Sequence, residues 1–351
     1  MTIFDLVTSE NVRAFYDNAI EQINGAPYLG EVLFPNDKQL GTTLEYIREQ
    51  SGLGVELALS NFDAKTTLVD RAGFEEVKHD MPFFKQGTRL DEKLRQKLLN
   101  VIMTKSQVQI DMIMKKVFET ETNLIKSARI SRERMRMQLL ATGIIKLNGN
   151  GVAYTYDFKV PAEHKKTLSG VNAWNKPETA DPINDLIKIK LEVEQETGEV
   201  MDKVIMNSVT FGLIAKNKLV KAQIAASNNG IVIITDAMVK AAVESLTNLQ
   251  VVIYDKMYKD AQGKAVKFYP DNQFTMLPAG NLGRTVFGTT PEEADLMSGA
   301  TEAEVAIIDT GVAITTTKEV DPVNVFTKVS QVVIPTFEQA NNVVIVDVIG
   351  E

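Results

Sequence analysis

Residues 122–160 read TNLIKSARISRERMRMQLLATGIIKLNGNGVAYTYDFKV, and this stretch decides the fold more than any other. Leu124, Ala128, Met135 and Leu139 recur at helical spacing on one side, with Lys126, Arg129, Arg132 and Arg136 opposite. The turns from Met137 to Ile145 are apolar nearly all round, which predicts a helix buried at one end and solvated at the other. At ~1.5 Å per residue, a helix over 122–147 is ~39 Å long, enough to brace a whole domain. Asn148-Gly-Asn-Gly151 reads as a left-handed cap that ends it. Val152, Tyr154, Tyr156, Phe158 and Val160 then alternate with other residues and predict a strand with one buried and one wet face.

Working upstream, Leu90, Leu94, Leu98 and Val101 carry the helical period back to residue 90, with a break expected near Thr120–Thr122. Residues 41–89 favour extended structure. Val55, Leu57 and Leu59 alternate with Glu56 and Ala58, and Val77, His79, Met81 and Phe83 alternate with Lys78, Asp80 and Pro82. The polar run Ser60–Thr67 reads as the tip of a long hairpin. Two strands alone do not hold their shape in water, so a second subunit is expected to supply the surface they pack on. Residues 1–40 are broken by Gly25, Pro27, Gly30 and Pro35 and form an arm that must lie on its own chain or on a neighbour.

Downstream, Asp181-Pro182 supplies an N-cap and a first-turn proline for a helix running to Gly198. A strand at Val204–Asn207, a helix around Phe211–Ala225, a buried strand at Ile231–Ile234 and a helix from Thr235-Asp236 to Leu246 follow. Gln250–Lys256 is expected to form a hairpin with Ala265–Tyr269 through the turn Asp260–Gly263. The remainder is valine-rich and strand-like, with Val343–Val348 as the closing strand. There is no repeat at solenoid spacing and no regular β-α-β rhythm, which points to α+β.

The 351 residues allow two or three domains, and 44% hydrophobic with 24% charged residues is the composition of a folded chain. With no cysteine, disulfides, thiolate zinc, iron–sulfur clusters and cysteine nucleophiles are excluded together. His79 and His164 are the only imidazoles, so histidine-rich metal sites are excluded too, and each is read as structural. No cofactor is expected. The formal net charge of −8 argues against a nucleic-acid grip over the whole surface. No apolar run reaches membrane-spanning length, and the start carries Asp5 and Glu10 where a secretory signal needs apolar residues. The chain is therefore expected in the cytoplasm where it is made, or in something assembled there.

The remaining candidates for chemistry have plain structural explanations. Asn148–Gly151 follows a helix and precedes a strand, the reverse of a phosphate loop. Glu192–Glu196 and Pro291–Asp295 are acidic clusters without the glycine and terminal glutamate of a calcium loop, and read as solvated faces. Six basic and two acidic side chains lie from Glu121 to Lys146. Arg129, Arg132 and Arg136 suit phosphate or the carboxylates of a neighbouring subunit, and the second reading is preferred.

Several segments together carry a resemblance. Gly73-Phe-Glu-Glu-Val-Lys-His-Asp-Met-Pro82, Trp174 with Asp181-Pro-Ile-Asn-Asp185, Phe268-Tyr-Pro-Asp-Asn272, Gly283-Arg-Thr-Val-Phe-Gly288 and the stretch from Pro322 to Val348 are similar to the lambda-type major capsid proteins of tailed bacteriophages, the major capsid protein E family. The resemblance implies the α+β fold of tailed-phage and herpesvirus shells: an N-terminal arm (1–40), an extended loop (41–89), a peripheral domain (90–180 and 321–351) with a spine helix near 122–147, and an axial domain (181–320). It implies a structural, non-enzymatic protein of the virion that assembles in the host cytoplasm with itself, through pentamers and hexamers, into an icosahedral shell around double-stranded DNA.

Scaffolding and portal proteins, with a decoration protein, are the further partners the resemblance implies, and packaged DNA is expected to touch the shell weakly and without specificity. The subunit-interface candidates are Leu57, Leu59, Val77, Phe83, Arg129, Arg132 and Arg136. An encapsulin-like compartment shell is the alternative within the same architecture. A hydrolase or nucleotide-binding enzyme is the alternative from another class.

Overall fold

The computed structural model describes residues 7–22, 27–49, 74–90, 92–103, 107–227, 233–299, 303–320 and 323–350. In chain order, α1 (Ser9–Gln22) and α2 (Leu29–Leu33) lead to β1 (Asn36–Lys38) and β2 (Thr43–Glu49). β3 (Phe74–Asp80) and β4 (Phe83–Leu90) precede α3 (Glu92–Met103) and α4 (Gln107–Thr142). Then come β5 (Ile144–Gly149), β6 (Val152–Asp157), β7 (Lys165–Thr167), α5 (Pro182–Thr197) and β8 (Met201–Met206). α6 (Ser208–Lys216), α7 (Lys218–Ser227), α8 (Asp236–Thr247), β9 (Gln250–Ile253), β10 (Met257–Lys259), β11 (Ala265–Lys267) and β12 (Gln273–Pro278) follow. The chain closes with β13 (Thr285–Phe287), α9 (Pro291–Ser298), β14 (Glu304–Ile308), β15 (Val312–Val320), β16 (Val323–Pro335) and β17 (Val344–Asp347).

These elements form two units. The first takes Met1–Glu45, Lys78–Arg134 and Arg284–Thr336, and the second Tyr46–Val77, Met135–Gly283 and Phe337–Glu351. The first is built on a six-stranded sheet in the order β1-β13-β16-β15-β14, with β4 also on β16. β15 pairs antiparallel with β16 over its whole length, from Val312↔Gln331 to Val320↔Val323. The first unit's part of α4 lies over one face of β16, where Gln331 Nε2 donates to the Ala128 carbonyl at 3.1 Å. α9 takes the other face, where Ser330 Oγ donates to Glu292 Oε2 at 2.8 Å. The two-residue period of the strand sends Gln331 and Ser330 to opposite sides.

The second unit holds a mixed five-stranded sheet, β7-β17-β12-β8-β9, in which β8–β9 and β17–β7 are parallel and β12 is antiparallel to both neighbours. Its core joins Trp174, Leu186, Val193, Met206, Phe211, Ile214, Val243, Phe274 and Val346. The caps foreseen for α5 are present: Asp181 Oδ1 accepts from Asn184 N at 3.2 Å, and Gly198 closes the helix at φ 76°.

Several expectations are corrected. The helix expected over 122–147 is α4, 36 residues from Gln107 to Thr142, or ~54 Å, with no break at Thr120–Thr122. It stops at Gly143, φ 72°, whose N–H bonds to the Leu139 carbonyl. Asn148–Gly151 is therefore not a helix cap. Asn150 (φ 49°) and Gly151 (φ 79°) form the two-residue turn of the β5–β6 hairpin, which needs two left-handed residues in succession.

β9 does not pair with residues 265–269, because it joins the second unit's sheet beside β8, and the hairpin on Asp260–Gly263 is β10–β11. The boundaries also shift. Among the described residues, the ribbon expected over 41–89 comprises β2 and β3, while β4 runs along β16 from Phe83↔Val332 to Leu90↔Val325. Residues 284–320 count with the first unit, and β17 belongs to the second unit's sheet and not to the unit that holds β16. The strand expected at Ile231–Ile234 begins outside the described residues, and Ile233 and Ile234 are in no strand.

Candidate assembly surfaces

The arginine row on α4 was expected to face a neighbour, and the structure corrects this. Arg132 and Arg136 are 2% and 0% exposed within their own chain, so neither is presented to another subunit. Arg132 Nη1 donates to Gln331 Oε1 at 2.9 Å and Nη2 to Asp309 Oδ2 at 2.8 Å, with its guanidinium 5.2 Å from the Phe287 ring centroid. Arg129 forms a two-pronged pair with Glu31, at 3.0 and 2.9 Å from Nη2 to the two carboxylate oxygens, and lies over the Tyr28 ring. Burial works against the Arg129 charge, but the hydrogen bonds and charge of Glu31 outweigh it and raise its pKa. Glu133 Oε1 accepts from Gly30 N at 3.1 Å. Arg129 and Glu133 thus clasp the chain's own arm, while Arg132 locks the helix to β16.

Of the ribbon candidates, Leu57 and Leu59 lie outside the described residues, as does the expected tip at Ser60–Thr67. Val77 is half-buried on β3. Phe83 opens β4 and is 41% exposed, with Lys85 Nζ 5.8 Å from its ring centroid. The alternation from Val77 to Phe83 fails at Met81 and Pro82, both buried, where β3 gives way to β4. Val152 and Tyr154, expected on a buried face, are 50% and 42% exposed, because that face of the β5–β6 hairpin is covered only from Tyr156 onward. The Asn-Gly dipeptide at the turn was the signal that could have shown a hairpin there.

The motifs that carried the resemblance are absorbed by the fold. Trp174 Nε1 donates to Asp185 Oδ2 at 3.0 Å, and its ring stacks on Phe274 with centroids 5.2 Å apart, which ties the tryptophan to the helix opened by Asp181-Pro182. Burial raises the Asp185 carboxyl, with the Trp174 hydrogen bond opposing it. In Phe268–Asn272, the Tyr269 hydroxyl is 2.7 Å from Thr275 Oγ1, which donates to the Leu140 carbonyl. Asp271 and the Pro270 carbonyl accept from Asn207, the N-cap of α6, and Asn272 turns the chain at φ 59°.

Gly283–Gly288 contributes β13, which pairs parallel with β1 and antiparallel with β16. A Cβ at Gly288 would lie 2.6 Å from the Gly41 carbonyl oxygen and 2.8 Å from Met81 Sδ, so only glycine fits.

The acidic clusters are spent in pairs. Glu292 pairs with Lys328, and Glu293 is 2.6 Å from Lys38 Nζ. Glu192 pairs with Lys166. Burial works against the Glu292 carboxylate, and Lys328 with Ser330 outweighs it, holding the carboxyl below its ordinary range. His164 is buried with Nε2 3.3 Å from Glu196 Oε2. Among the described residues no three His, Asp or Glu side chains are grouped to hold a metal ion, and no helix is long and apolar enough to cross a membrane.

This architecture is shared with solved phage shells. A protein described as a prophage capsid protein of E. coli CFT073 superposes with a TM-score of 0.61 at 14% identity, over 97% of this chain and 99% of that one. A phage-related protein of Bordetella bronchiseptica RB50 gives 0.55 at 11% identity over 95% and 96%, and the cyanophage A-1(L) capsid 0.52 at 9% over 93% of both. The mixed helix-and-sheet fold is thus that of phage capsid proteins. The family model of phage major capsid protein E matches residues 17–348, and the chain belongs to that family. It is a structural protein of the phage head shell. A search of curated proteins returned no sequence match.

Proposed function

We propose that the chain tiles through pentamers and hexamers into an icosahedral shell around double-stranded DNA, assembled in the host cytoplasm, and that it carries out no catalysis. The family match over 17–348 is the observation that supports this reading. Heterologous contacts repeated about an axis close into rings, and contacts between rings close the shell. Each contact can be weak, because a subunit held at several edges meets its next neighbour at high effective concentration. In this reading the second unit is the axial domain, and the first, with α4, is the peripheral one. The segment 41–89 lies over an adjacent subunit, with Leu57, Leu59 and Val77 on the ribbon side and Phe83 at the start of β4 as its contact residues. Portal and scaffolding proteins are the expected heterologous partners, a decoration protein a further one, and DNA touches the shell without specificity.

Expression of the chain with and without a scaffolding protein, followed by sedimentation and electron microscopy, tests this. Rings, tubes or closed particles are expected. A monodisperse monomer under both conditions overturns it.

A further inference from the structure

β14 is the terminal strand of the first unit's sheet, and among the described residues it pairs only with β15. Its sequence, EVAII, is apolar after the first residue and rich in β-branched side chains. An edge of this composition is a template for another chain unless something guards it.

α1 packs against β14 and β15. Ser9 Oγ donates to the Glu304 carbonyl, at the start of β14, at 2.7 Å and lies 3.0 Å from Thr316 Oγ1 on β15. Ser9, Val12 and Tyr16 form the buried stripe of the helix, while Glu10, Asn11, Arg13, Ala14 and Asp17 are exposed. Phe15 stacks on Phe118 of α4 with ring centroids 5.3 Å apart. By the two-residue period of the strand, Glu304, Ala306 and Ile308 share one face of β14, and the last two are buried. A helix of 14 residues is marginal by itself, so α1 depends on its tertiary contacts.

We propose that α1 is a releasable latch: seated in cis it keeps β14 from intermolecular pairing, and released it opens β14 to a strand of a second copy of this chain. The proposal rests on the shell reading, since it assigns to the arm the control of when one contact between copies forms. Such a latch holds newly made subunits apart until assembly displaces the arm.

The test uses the full chain with Val12→Asp, which puts a charge into the buried stripe, and with Tyr16→Ala, which empties its largest pocket. Arg13→Ala, on the exposed side, is the control. Amide exchange of residues 304–308 and sedimentation velocity are followed over a range of protein concentrations. In both latch variants, exchange in β14 is expected to speed up by about tenfold or more at low concentration and to slow again as concentration and sedimentation coefficient rise together. Arg13→Ala follows the parent.

β14 exchanging at the parent rate while α1 has lost its protection overturns the proposal. So does exposed β14 without concentration-dependent sedimentation. Failure of the parent chain itself to form rings or particles is a separate result and counts against the shell reading.

Discussion

The two units bury different chemistry beneath their sheets. In the second, the apolar side chains of α5, α6 and α8 and of β8, β12 and β17 close on one another around Trp174 and Phe274. Its buried polar residues largely serve local turns: Asn207 and Asn217 accept from backbone N–H groups two or three residues ahead, and Thr197 and Thr247 bond back four residues along their helices. Arg48 and Arg136 are buried there as well, but among the described residues the buried carboxylates belong to the first unit. Glu121, Arg132, Glu133 and Glu292 are almost without exposure, among Thr315, Thr316, Thr327 and Gln331. An apolar core loses stability in proportion to volume removed, whereas a charged seam loses it when one partner is taken from another. The first unit is therefore the one whose packing answers to protonation of buried carboxylates.

The largest expected effect lies in the apolar unit. Phe274→Ala removes the ring stacked on Trp174 in a fully buried position and is expected to cost about 4 kcal/mol, read by denaturant unfolding. Phe274→Leu, which refills most of the space, should recover more than half of this. A loss below about 1 kcal/mol for Phe274→Ala would mean that the second unit is not held by its core.

The charged unit supplies the next effect, with a different signature. Arg132→Ala leaves Asp309 and Gln331 without their donor and is expected to cost about 3 kcal/mol. Arg132→Met keeps the volume but not the charge, and the added variant Asp309→Asn removes the stranded carboxylate. If the seam works as a matched set, the Met and Asn double variant recovers stability relative to Arg132→Met alone. Additive losses would show that volume and not pairing holds this position.

The third effect separates the units by pH. Burial pushes the Glu121 carboxyl up to about 7, with the Thr327 hydroxyl on β16 opposing part of the shift. The ordinary value is 4.5, so between these two values the folded chain keeps a proton that the unfolded chain has released. Stability contributed by this site is therefore full below pH 4.5, falls as pH rises through about 7 and is level above it. The penalty at pH 8 is about 3 kcal/mol. Glu121→Gln is expected to remove it, raising the unfolding free energy at pH 8 and leaving it nearly unchanged at pH 4.5. An equal change at both pH values would assign the effect to packing and not to ionisation.

What was legible in the chain follows the distance over which each feature is decided. Asp181, Pro182 and Gly198 mark the ends of α5 because a cap is satisfied within four residues, and the helix appears where they put it. Asn150-Gly151 was misread because a helix cap and a tight hairpin turn ask for the same left-handed residues. Only the pairing of Ile144–Leu147 with Tyr154–Asp157 distinguishes them. The burial of Arg132 was invisible for another reason: Asp309 and Gln331 lie 177 and 199 residues away, so a row of arginines at helical spacing looked like a surface for the carboxylates of a neighbouring subunit. The same limit applies to β17, whose partner β12 ends before β13 begins the return to the other sheet.

The smallest effect sharpens the comparison at the rim of the seam. Arg129 and Glu31 are each about a quarter exposed or less, so water screens their pair in part, and geometry matters more than charge. A guanidinium reaches both oxygens of Glu31 and keeps its plane over Tyr28, while an ammonium can do neither. Arg129→Lys is thus expected to cost about 1 kcal/mol although the charge is kept. The cost should appear first as faster amide exchange in α2, whose Gly30 is the residue bonded to Glu133, and not in the five-stranded sheet. If Arg129→Lys leaves α2 protected, then Glu133 and the burial of Leu33 and Phe34 hold the arm without the fork, and the clasp on α4 is a contact of shape.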